Sequence, residues 1–297
     1  MECILRTQRL TKYYGKSRGI VDLDLDIAPG DVFGFIGPNG AGKSTTIRLL
    51  LGLISPTGGQ SQVLGLDCWK DRTAIARRVG YMPSEAMFYG NLRGEEIIAF
   101  AAKLHGGNYT AEAKRLCDRF DIDVHKKVEA LSLGNRRKLS IVCALQHSPE
   151  LLILDEPTSG LDPLMQKEFF DLLHERNEAG TTIFLSSHML SDIQRHCRHA
   201  GIVRDGKLIL TDTVENLTRR AAKRVHIAGI TVPPALAGLA DVTLGDETVS
   251  FLYAGEMPAL IGALQGLPIV DMTITEPDLD EIFLHYYGKE GHDHDGV

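Results

Sequence analysis

The chain has 297 residues, 43% of them hydrophobic and 24% charged, with a formal net charge of −7. This composition is typical of a globular protein with a buried core, and the negative charge argues against a nucleic-acid partner. The sequence contains neither an apolar stretch of about 18 residues nor an apolar leader, so we expect no transmembrane helix and a cytoplasmic protein. The five cysteines are scattered without a C-x-x-C pair, which argues against a zinc ribbon or a disulfide framework.

The first quarter of the chain predicts a strand, a second strand, a loop and a helix. Between residues 21 and 27, apolar side chains alternate with aspartates, which indicates a half-buried strand. Residues 32–36 are a short apolar run, as in a buried strand, and they lead into a glycine-rich loop at 37–42. Apolar residues from Ile47 to Ile54 then recur at helical spacing.

The glycine-rich loop fits the pattern G-x-x-x-x-G-K-[ST], which binds the phosphates of a nucleotide. Glycines let consecutive backbone N–H groups point at a phosphate, and the following helix presents its positive end to the same group. We expect Lys43 to reach the β- and γ-phosphates and the Ser44 hydroxyl to bind Mg²⁺. A plain glycine-rich turn is the alternative, but the flanking strand and helix favour the phosphate loop. The predicted nucleotide contacts here are Gly37, Pro38, Asn39, Gly40, Ala41, Gly42, Lys43, Ser44 and Thr45.

Two carboxylates follow the next apolar strand. Residues 86–148 are predicted to be largely helical, and residues 151–154 then form an apolar strand that runs into Asp155 and Glu156. Open α/β sheets bind their ligands at the carboxyl ends of their strands. We expect Asp155 to hold Mg²⁺ through water and Glu156 to orient or deprotonate an attacking water, although an Asp-Glu pair alone is also a common start of a solvated loop.

The pattern changes after about residue 215. We predict strands at 225–227, 242–244, 249–253 and 269–275 and helices near 257–265 and 278–287, which together form a small α+β unit. The tail after this unit is expected to be disordered. His292, Asp293, His294 and Asp295 could bind a metal there, but a frayed tail is the favoured interpretation.

With these residues the sequence resembles the ATP-binding subunits of the ATP-binding cassette (ABC) superfamily over residues 1 to about 215. The resemblance implies that Tyr14 stacks on adenine, with the adjacent Tyr13 as an alternative. It also implies that His188, after a strand at 181–185, contacts the γ-phosphate. In the family, a short loop after the acidic strand crosses the dimer interface, and here it is Ser159, Gly160, Leu161 and Asp162.

A second family motif, usually written LSGGQ, is similar to residues 131–135 of this chain, LSLGN. The resemblance implies that Ser132, Leu133, Gly134 and Asn135 contact the ATP held by the other subunit of a dimer. Three cations, Arg136, Arg137 and Lys138, follow in the first helical turn and oppose the helix dipole. We interpret them either as attracted to a bound anion or as a solvated basic face.

One departure from the family pattern concerns catalysis. The family usually has Gln after a strand such as 79–83, where it touches Mg²⁺ and the attacking water, but this chain has Ser84 followed by Glu85. Water could fill the gap, Glu85 could substitute, or turnover could be slow. Replacement of this Gln, and a C-terminal ending such as residues 276–287, both occur in the export branch of the family for drugs, antibiotics and ions.

The resemblance implies an α/β fold with a P-loop NTPase core. This core, residues 1–215, would hold a mainly parallel sheet, an antiparallel β segment and a helical subdomain at about 86–148. A small C-terminal α+β domain would occupy residues 216–297. The implied activity is ATP hydrolysis with Mg²⁺, on the cytoplasmic face of a membrane. A separate integral membrane subunit, touched by the segment at 88–95, would be the partner.

Several alternatives stay open at this stage. The paired ATP-binding subunits could be identical or different, and an importer subunit is also compatible with the sequence. A nucleotide-switched binding module with little turnover is the rival of a different class. Ser84 favours that rival, whereas Glu156 argues against it because a pure switch would not need a catalytic carboxylate.

Overall fold

The computed structural model describes residues 3–220 and 223–275. The chain folds into two compact units, Met1–Val214 and Glu215–Val297. The strands are β1 Leu5–Tyr14, β2 Ser17–Ile27, β3 Val32–Ile36, β4 Gly58–Val63, β5 Leu66–Asp67, β6 Val79–Met82, β7 Leu151–Asp155, β8 Thr182–Ser187, β9 His199–Arg204, β10 Lys207–Thr213, β11 Lys223–Ala228, β12 Leu239–Leu244, β13 Thr248–Tyr253 and β14 Asp271–Thr275. The helices are α1 Lys43–Leu50, α2 Arg72–Arg78, α3 Gly94–Leu104, α4 Thr110–Arg119, α5 Leu133–Leu145, α6 Pro163–Glu178, α7 Leu190–His196, α8 Val214–Arg220 and α9 Met257–Leu264, with a short 3-10 helix at Val128–Ala130.

The first unit is built around a six-stranded sheet with the order β10-β9-β3-β8-β7-β6. Strands β9, β3, β8, β7 and β6 are parallel, and β10 pairs antiparallel with β9. Every residue of β3, β7 and β8 is buried, as expected for parallel strands covered on both faces. The phosphate loop, Asp155-Glu156 and His188 lie at or directly after the carboxyl ends of these three strands, so all of them lie at one edge of the sheet.

A second, antiparallel sheet with the order β2-β1-β4-β5 packs within the same unit. Its apolar side chains share one core with those of α1, β3 and β7, for example Leu10, Ile20, Ile47, Phe35 and Ile153. Helices α3, α4 and α5 form the helical segment between β6 and β7. The α/β fold with a mainly parallel sheet, an antiparallel β segment and a helical segment is confirmed.

The second unit is a four-stranded antiparallel sheet, β12-β13-β11-β14, with α9 against one face. Val225, Ile227, Phe251 and Leu260 are among the residues of its own apolar core. The predicted closing helix near 278–287, the tail and its His-Asp cluster lie outside the described residues.

Candidate functional site

The phosphate loop connects β3 to α1, and its backbone has the conformation that its glycines permit. Gly42 has φ +109, a value that side chains other than glycine rarely adopt. A Cβ on Gly37 would lie 2.2 Å from the backbone oxygen of Val203, so no larger residue fits there. Lys43 is buried, and its Nζ donates hydrogen bonds to the carbonyls of Gly37 at 2.5 Å and Pro38 at 3.2 Å. The loop therefore places the ammonium inside its own curve, beside the positive end of α1.

A cavity of about 320 Å³ opens beside this loop, which is large enough to hold a phosphate chain and part of a nucleoside. Its wall contains most of the nucleotide contacts predicted from the sequence. Gly37 and Ala41 are not in the wall, since they shape the loop from within. The lining residues are Tyr14, Arg18, Gly19, Pro38, Asn39, Gly40, Gly42, Lys43, Ser44, Thr45, Ser84 and Glu156.

The cavity favours one of the two tyrosines that the sequence offered for adenine stacking. Tyr14 lines the cavity, whereas Tyr13 does not. Tyr14 lies at the end of β1 and is half-exposed. Lys12 Nζ lies 5.4 Å from the centroid of its ring. An exposed ring that lines the cavity offers a π surface on which a base can stack. Arg18 and Gly19 of β2 also line the cavity, and sequence reasoning missed both because no motif singles them out.

Glu156 occupies the centre of the polar cluster at the end of β7. Its Oε1 lies 3.2 Å from Lys43 Nζ, and its Oε2 accepts a hydrogen bond from His188 Nδ1 at 2.7 Å. The residue has φ +49, in the left-handed region, and its backbone N–H donates to Ser186 O at 3.2 Å. The structure thus brings together the three side chains predicted to be catalytic.

The oxygen atoms needed for Mg²⁺ lie at the same edge. Ser44 and Ser84 line the cavity, and Asp155 is 2% exposed with Oδ1 accepting a hydrogen bond from Ser186 Oγ at 2.7 Å. Asp155 is not in the cavity wall, so its carboxylate would reach an ion through water. Hydroxyl and carboxylate oxygens are the ligands that Mg²⁺ prefers, and these side chains fit that ion.

The segment 131–135 begins α5 and lies outside the cavity wall. Ser132 caps the helix, with its Oγ accepting a hydrogen bond from Asn135 N at 3.3 Å. Leu133 is 63% exposed. A Cβ on Gly134 would lie no closer than 3.9 Å to any neighbouring heavy atom outside the helix, the nearest being Gly160 O. The start of α5 therefore presents an open surface rather than a contact to the chain's own cavity.

The loop after β7 is held by contacts within the chain. Leu161 is buried, and Asp162 caps α6 by accepting a hydrogen bond from Met165 N at 3.0 Å. Gly160 has φ +78. The structure gives Leu161 and Asp162 internal roles, while Ser159 and Gly160 remain exposed on the side of α5.

Arg137 differs from both interpretations offered for the three cations of α5. It is only 2% exposed, so it belongs to neither a solvated basic face nor an accessible anion site. Its guanidinium donates to the backbone oxygens of Pro83, Glu156 and Ser159. Burial lowers the pKa of Arg137, and the nearby carboxylates of Asp155 and Glu156 oppose that shift. No sequence signal separated Arg137 from its neighbour Arg136, because only the packing decides which of them turns inward.

Comparisons with known proteins agree with this geometry. A family model described as "ABC transporter" matches residues 20–159. The bacitracin transport ATP-binding protein of Bacillus licheniformis is 35% identical, covering 97% of this chain and 98% of that protein. The daunorubicin resistance ATP-binding protein of Streptomyces coeruleorubidus is 33% identical, covering 94% of each chain. A solved "ATP binding subunit of ABC transporter" is 30% identical with a TM-score of 0.68, covering 73% of this chain and 92% of that one. The chain therefore belongs to the ATP-binding subunits of ABC transporters, which are ATPases, and fits their export-type branch.

Proposed function

We propose that this ATPase powers export through a separate integral membrane subunit, with two ATP-binding subunits closing over ATP. The observation that carries the catalytic part is the position of the Glu156 carboxylate, which lies between Lys43 and His188 in the wall of the nucleotide cavity. A carboxylate in that place can act on a water molecule beside a bound γ-phosphate.

The residues divide the work of hydrolysis. Lys43 would place its positive charge against the β- and γ-phosphates, where negative charge accumulates in the transition state. Glu156 would orient a water molecule and take its proton as the water oxygen attacks the γ-phosphorus. The bond from that phosphorus to the leaving oxygen of ADP then breaks. His188 holds the carboxylate at 2.7 Å and would contact the departing phosphate.

Ser44, with Asp155 through water, would hold Mg²⁺ beside the phosphates, and Ser84 is a further candidate. When bound, the ion would neutralise part of the phosphate charge. The hydrogen bond from Ser186 keeps the Asp155 carboxylate turned toward this edge of the sheet.

The exposed start of α5 supports a paired arrangement. Residues 132–135 lie outside the wall of the chain's own cavity, so their predicted contact with ATP requires a second ATP-binding subunit. That subunit, identical or different, would place its helix start against the γ-phosphate, with Ser159 and Gly160 in the interface. ATP then favours the closed pair because it makes bonds there that the open pair lacks, and hydrolysis removes them.

An apolar patch on the helical segment supports a membrane partner. We define this apolar patch as Met87, Tyr89, Phe100 and Leu104, which are at least half-exposed and border a groove of about 420 Å³. Exposed apolar clusters of this kind mark interaction surfaces. Within residues 3–220 and 223–275, no helix is long and apolar enough to cross a membrane. A membrane subunit bound at the apolar patch would hold the chain on the cytoplasmic face, where ATP is available.

The names of the relatives support export. One is described as a bacitracin transport protein and another as a daunorubicin resistance protein, and a transporter can give resistance to a compound by moving it outward. We extend the direction of transport to this chain, and not the identity of the transported molecule.

Steady-state ATP hydrolysis by the purified chain with Mg²⁺, beside Glu156→Gln, tests the proposed mechanism. The substitution keeps the shape of the side chain but removes its charge and its capacity to take a proton. We expect turnover to fall by a factor of about 100 or more while ATP binding persists. Fluorescent nucleotide titration gives the binding constant of the same samples.

The matched control is Glu150→Gln, which removes a carboxylate before the amino end of β7, paired there with Arg78. We expect it to keep its turnover. Full activity in Glu156→Gln would contradict the proposed role of Glu156. If the unmodified chain binds ATP without turnover at any concentration, the Ser84 departure would instead favour a nucleotide switch.

A further inference from the structure

We infer that Arg137 is a positioning residue that holds the backbone of Glu156 in its active conformation and couples it to α5, the helix that Ser132 caps. The inference rests on the proposed role of Glu156 and extends it to a residue buried beneath the site. Arg137 thereby connects the start of α5 physically to the carboxylate that would act on water.

Three backbone oxygens converge on one guanidinium. Arg137 Nη2 donates to Glu156 O at 2.8 Å, Nε donates to Ser159 O at 3.0 Å, and Nη1 donates to Pro83 O at 2.5 Å. These acceptors belong to the loop after β7 and to the segment after β6, directly before Ser84. Arg137 itself is the fifth residue of α5, five residues after the Ser132 cap. A single side chain therefore joins three segments that carry proposed functional residues.

The contact to Glu156 O stabilises a strained residue. Glu156 has φ +49, in the left-handed region that is unfavourable for a residue with a side chain. Such a conformation persists only where surrounding contacts fix it. On one side, Ser186 O and Oγ accept from Glu156 N; on the other, Arg137 donates to its carbonyl. This backbone conformation sets the direction in which the carboxylate leaves the chain, toward Lys43 and His188.

Arginine is specifically suited to this position. Its planar guanidinium carries N–H groups that point in several directions, so three carbonyls in different segments can be bound at once. Lysine has a similar length and charge but a single ammonium, which cannot reproduce that fork. The electrostatic environment also suits a cation, because Asp155, Glu156 and Glu85 all attract it.

Arg137 can transmit a movement of α5 to the backbone of Glu156. Because Arg137 is rigidly attached to α5, a displacement of that helix would pull on the carbonyl of Glu156 and on the backbone before Ser84. Engagement of α5 by ATP in a second subunit would then align the catalytic carboxylate through Arg137. The residue contributes no atom to the reaction, since it lies outside the cavity wall.

The test is Arg137→Lys in the full-length chain, which preserves charge and bulk and removes the fork. We expect kcat to fall about 10- to 100-fold, as for a catalytic group displaced by about 1 Å. The Kd for ATP should stay within about twofold, because Arg137 does not line the cavity. Steady-state kinetics, fluorescent nucleotide titration and thermal unfolding are measured on the same samples.

Arg198→Gln is the control for losing a structural arginine. Arg198 donates to Gly30 O at 3.0 Å and to Asn177 Oδ1 at 3.0 Å, near the opposite end of the central strands. We expect this control to keep its kcat. A kcat in Arg137→Lys close to that of the unmodified chain would overturn the inference, and so would a parallel loss of kcat, ATP affinity and thermal stability, which is the result expected of a merely structural residue.

Glu156→Gln, assayed beside these variants, separates the two proposals. An inactive Glu156→Gln with a fully active Arg137→Lys would overturn the positioning role alone. An active Glu156→Gln would overturn the proposed role of Glu156, and with it the target through which Arg137 is argued to act.

Discussion

At the scale of single residues, Ser84 is the least expected member of the site. It follows β6, lines the nucleotide cavity and directly succeeds Pro83, whose carbonyl is bound by Arg137. The family resemblance led us to expect a glutamine, whose amide would reach further into the cavity than a hydroxyl. Glu85, the candidate substitute, is exposed and does not line the cavity.

Ser84→Gln should therefore raise turnover. The longer side chain would place an amide oxygen and N–H group where the attacking water is held, and one well-formed hydrogen bond in a transition state changes a rate by about tenfold. Steady-state ATPase assays give kcat for the variant and the unmodified chain. Ser84→Ala is the control, and we expect no gain from it. An unchanged or lower kcat in Ser84→Gln would show that the serine is suited to this site.

At the scale of elements, α6 and α7 contact each other through the aromatic rings of Phe170, His174 and His196. The ring of His196 stacks on Phe170 with centroids 3.5 Å apart, and its Nδ1 lies 3.3 Å from His174 Nε2. In the same region, Thr158 donates to Asp192 Oδ2 at 3.0 Å, which joins the loop after Glu156 to α7.

This cluster predicts a loss of stability in acid. Burial, assisted by the nearby His174 and Arg195, lowers the pKa of His196 to about 4, whereas Asp171 opposes that shift. At pH values between about 4 and the ordinary histidine pKa of about 6.5, His196 is protonated in the unfolded chain but not in the folded one. The free energy of unfolding therefore falls as the pH decreases through that window.

His196→Phe should reduce this acid sensitivity, since phenylalanine can stack on Phe170 and does not titrate. His196 is partly exposed, so its contribution is reduced by solvent screening. We expect it to account for about 1 kcal/mol of the unfolding free energy that is lost between pH 7 and pH 5. The difference between the unfolding midpoints at those two pH values should then shrink by about 2–4 °C. Parallel pH dependences in the variant and the unmodified chain would contradict the assignment.

At the scale of the whole molecule, the nucleotide cavity lies in only one of the two units. Every residue that lines the nucleotide cavity belongs to the first unit, and so does the apolar patch. The second unit has its own apolar core, and the sequence assigns it no chemistry. The first unit therefore holds both the nucleotide cavity and the surface proposed for the membrane subunit.

Tyr89→Asp should weaken attachment to a membrane subunit without changing ATP hydrolysis by the purified chain. The substitution places a carboxylate within the apolar patch, and burying an unpaired charge costs several kcal/mol. Retention on native membranes, measured by co-purification, should fall at least about tenfold. Leu53→Asp is the matched control, because Leu53 is 59% exposed and lies outside the apolar patch. Equal retention of both variants would contradict the proposed surface.

Much of the fold and site could be predicted from local sequence. Residues 32–36 and 151–154 are buried on both faces, so they are continuously apolar, and the structure has β3 and β7 there. The phosphate loop is recognisable because its glycines and Lys43 are required by backbone geometry. By contrast, β1 was not predicted, since register shifts between Thr7 and Tyr13 interrupt the alternation of its side chains.

The sequence by itself determined the class of chemistry, because the spacing of the phosphate loop and the Asp-Glu pair after a buried strand depend only on local backbone requirements. Only the tertiary structure decided which of two tyrosines faces the cavity and which of two adjacent arginines turns inward. It also decided that Glu156 lies between Lys43 and His188. These choices depend on packing between segments that are distant in the sequence, such as His188 against Glu156, and no local pattern contains that information.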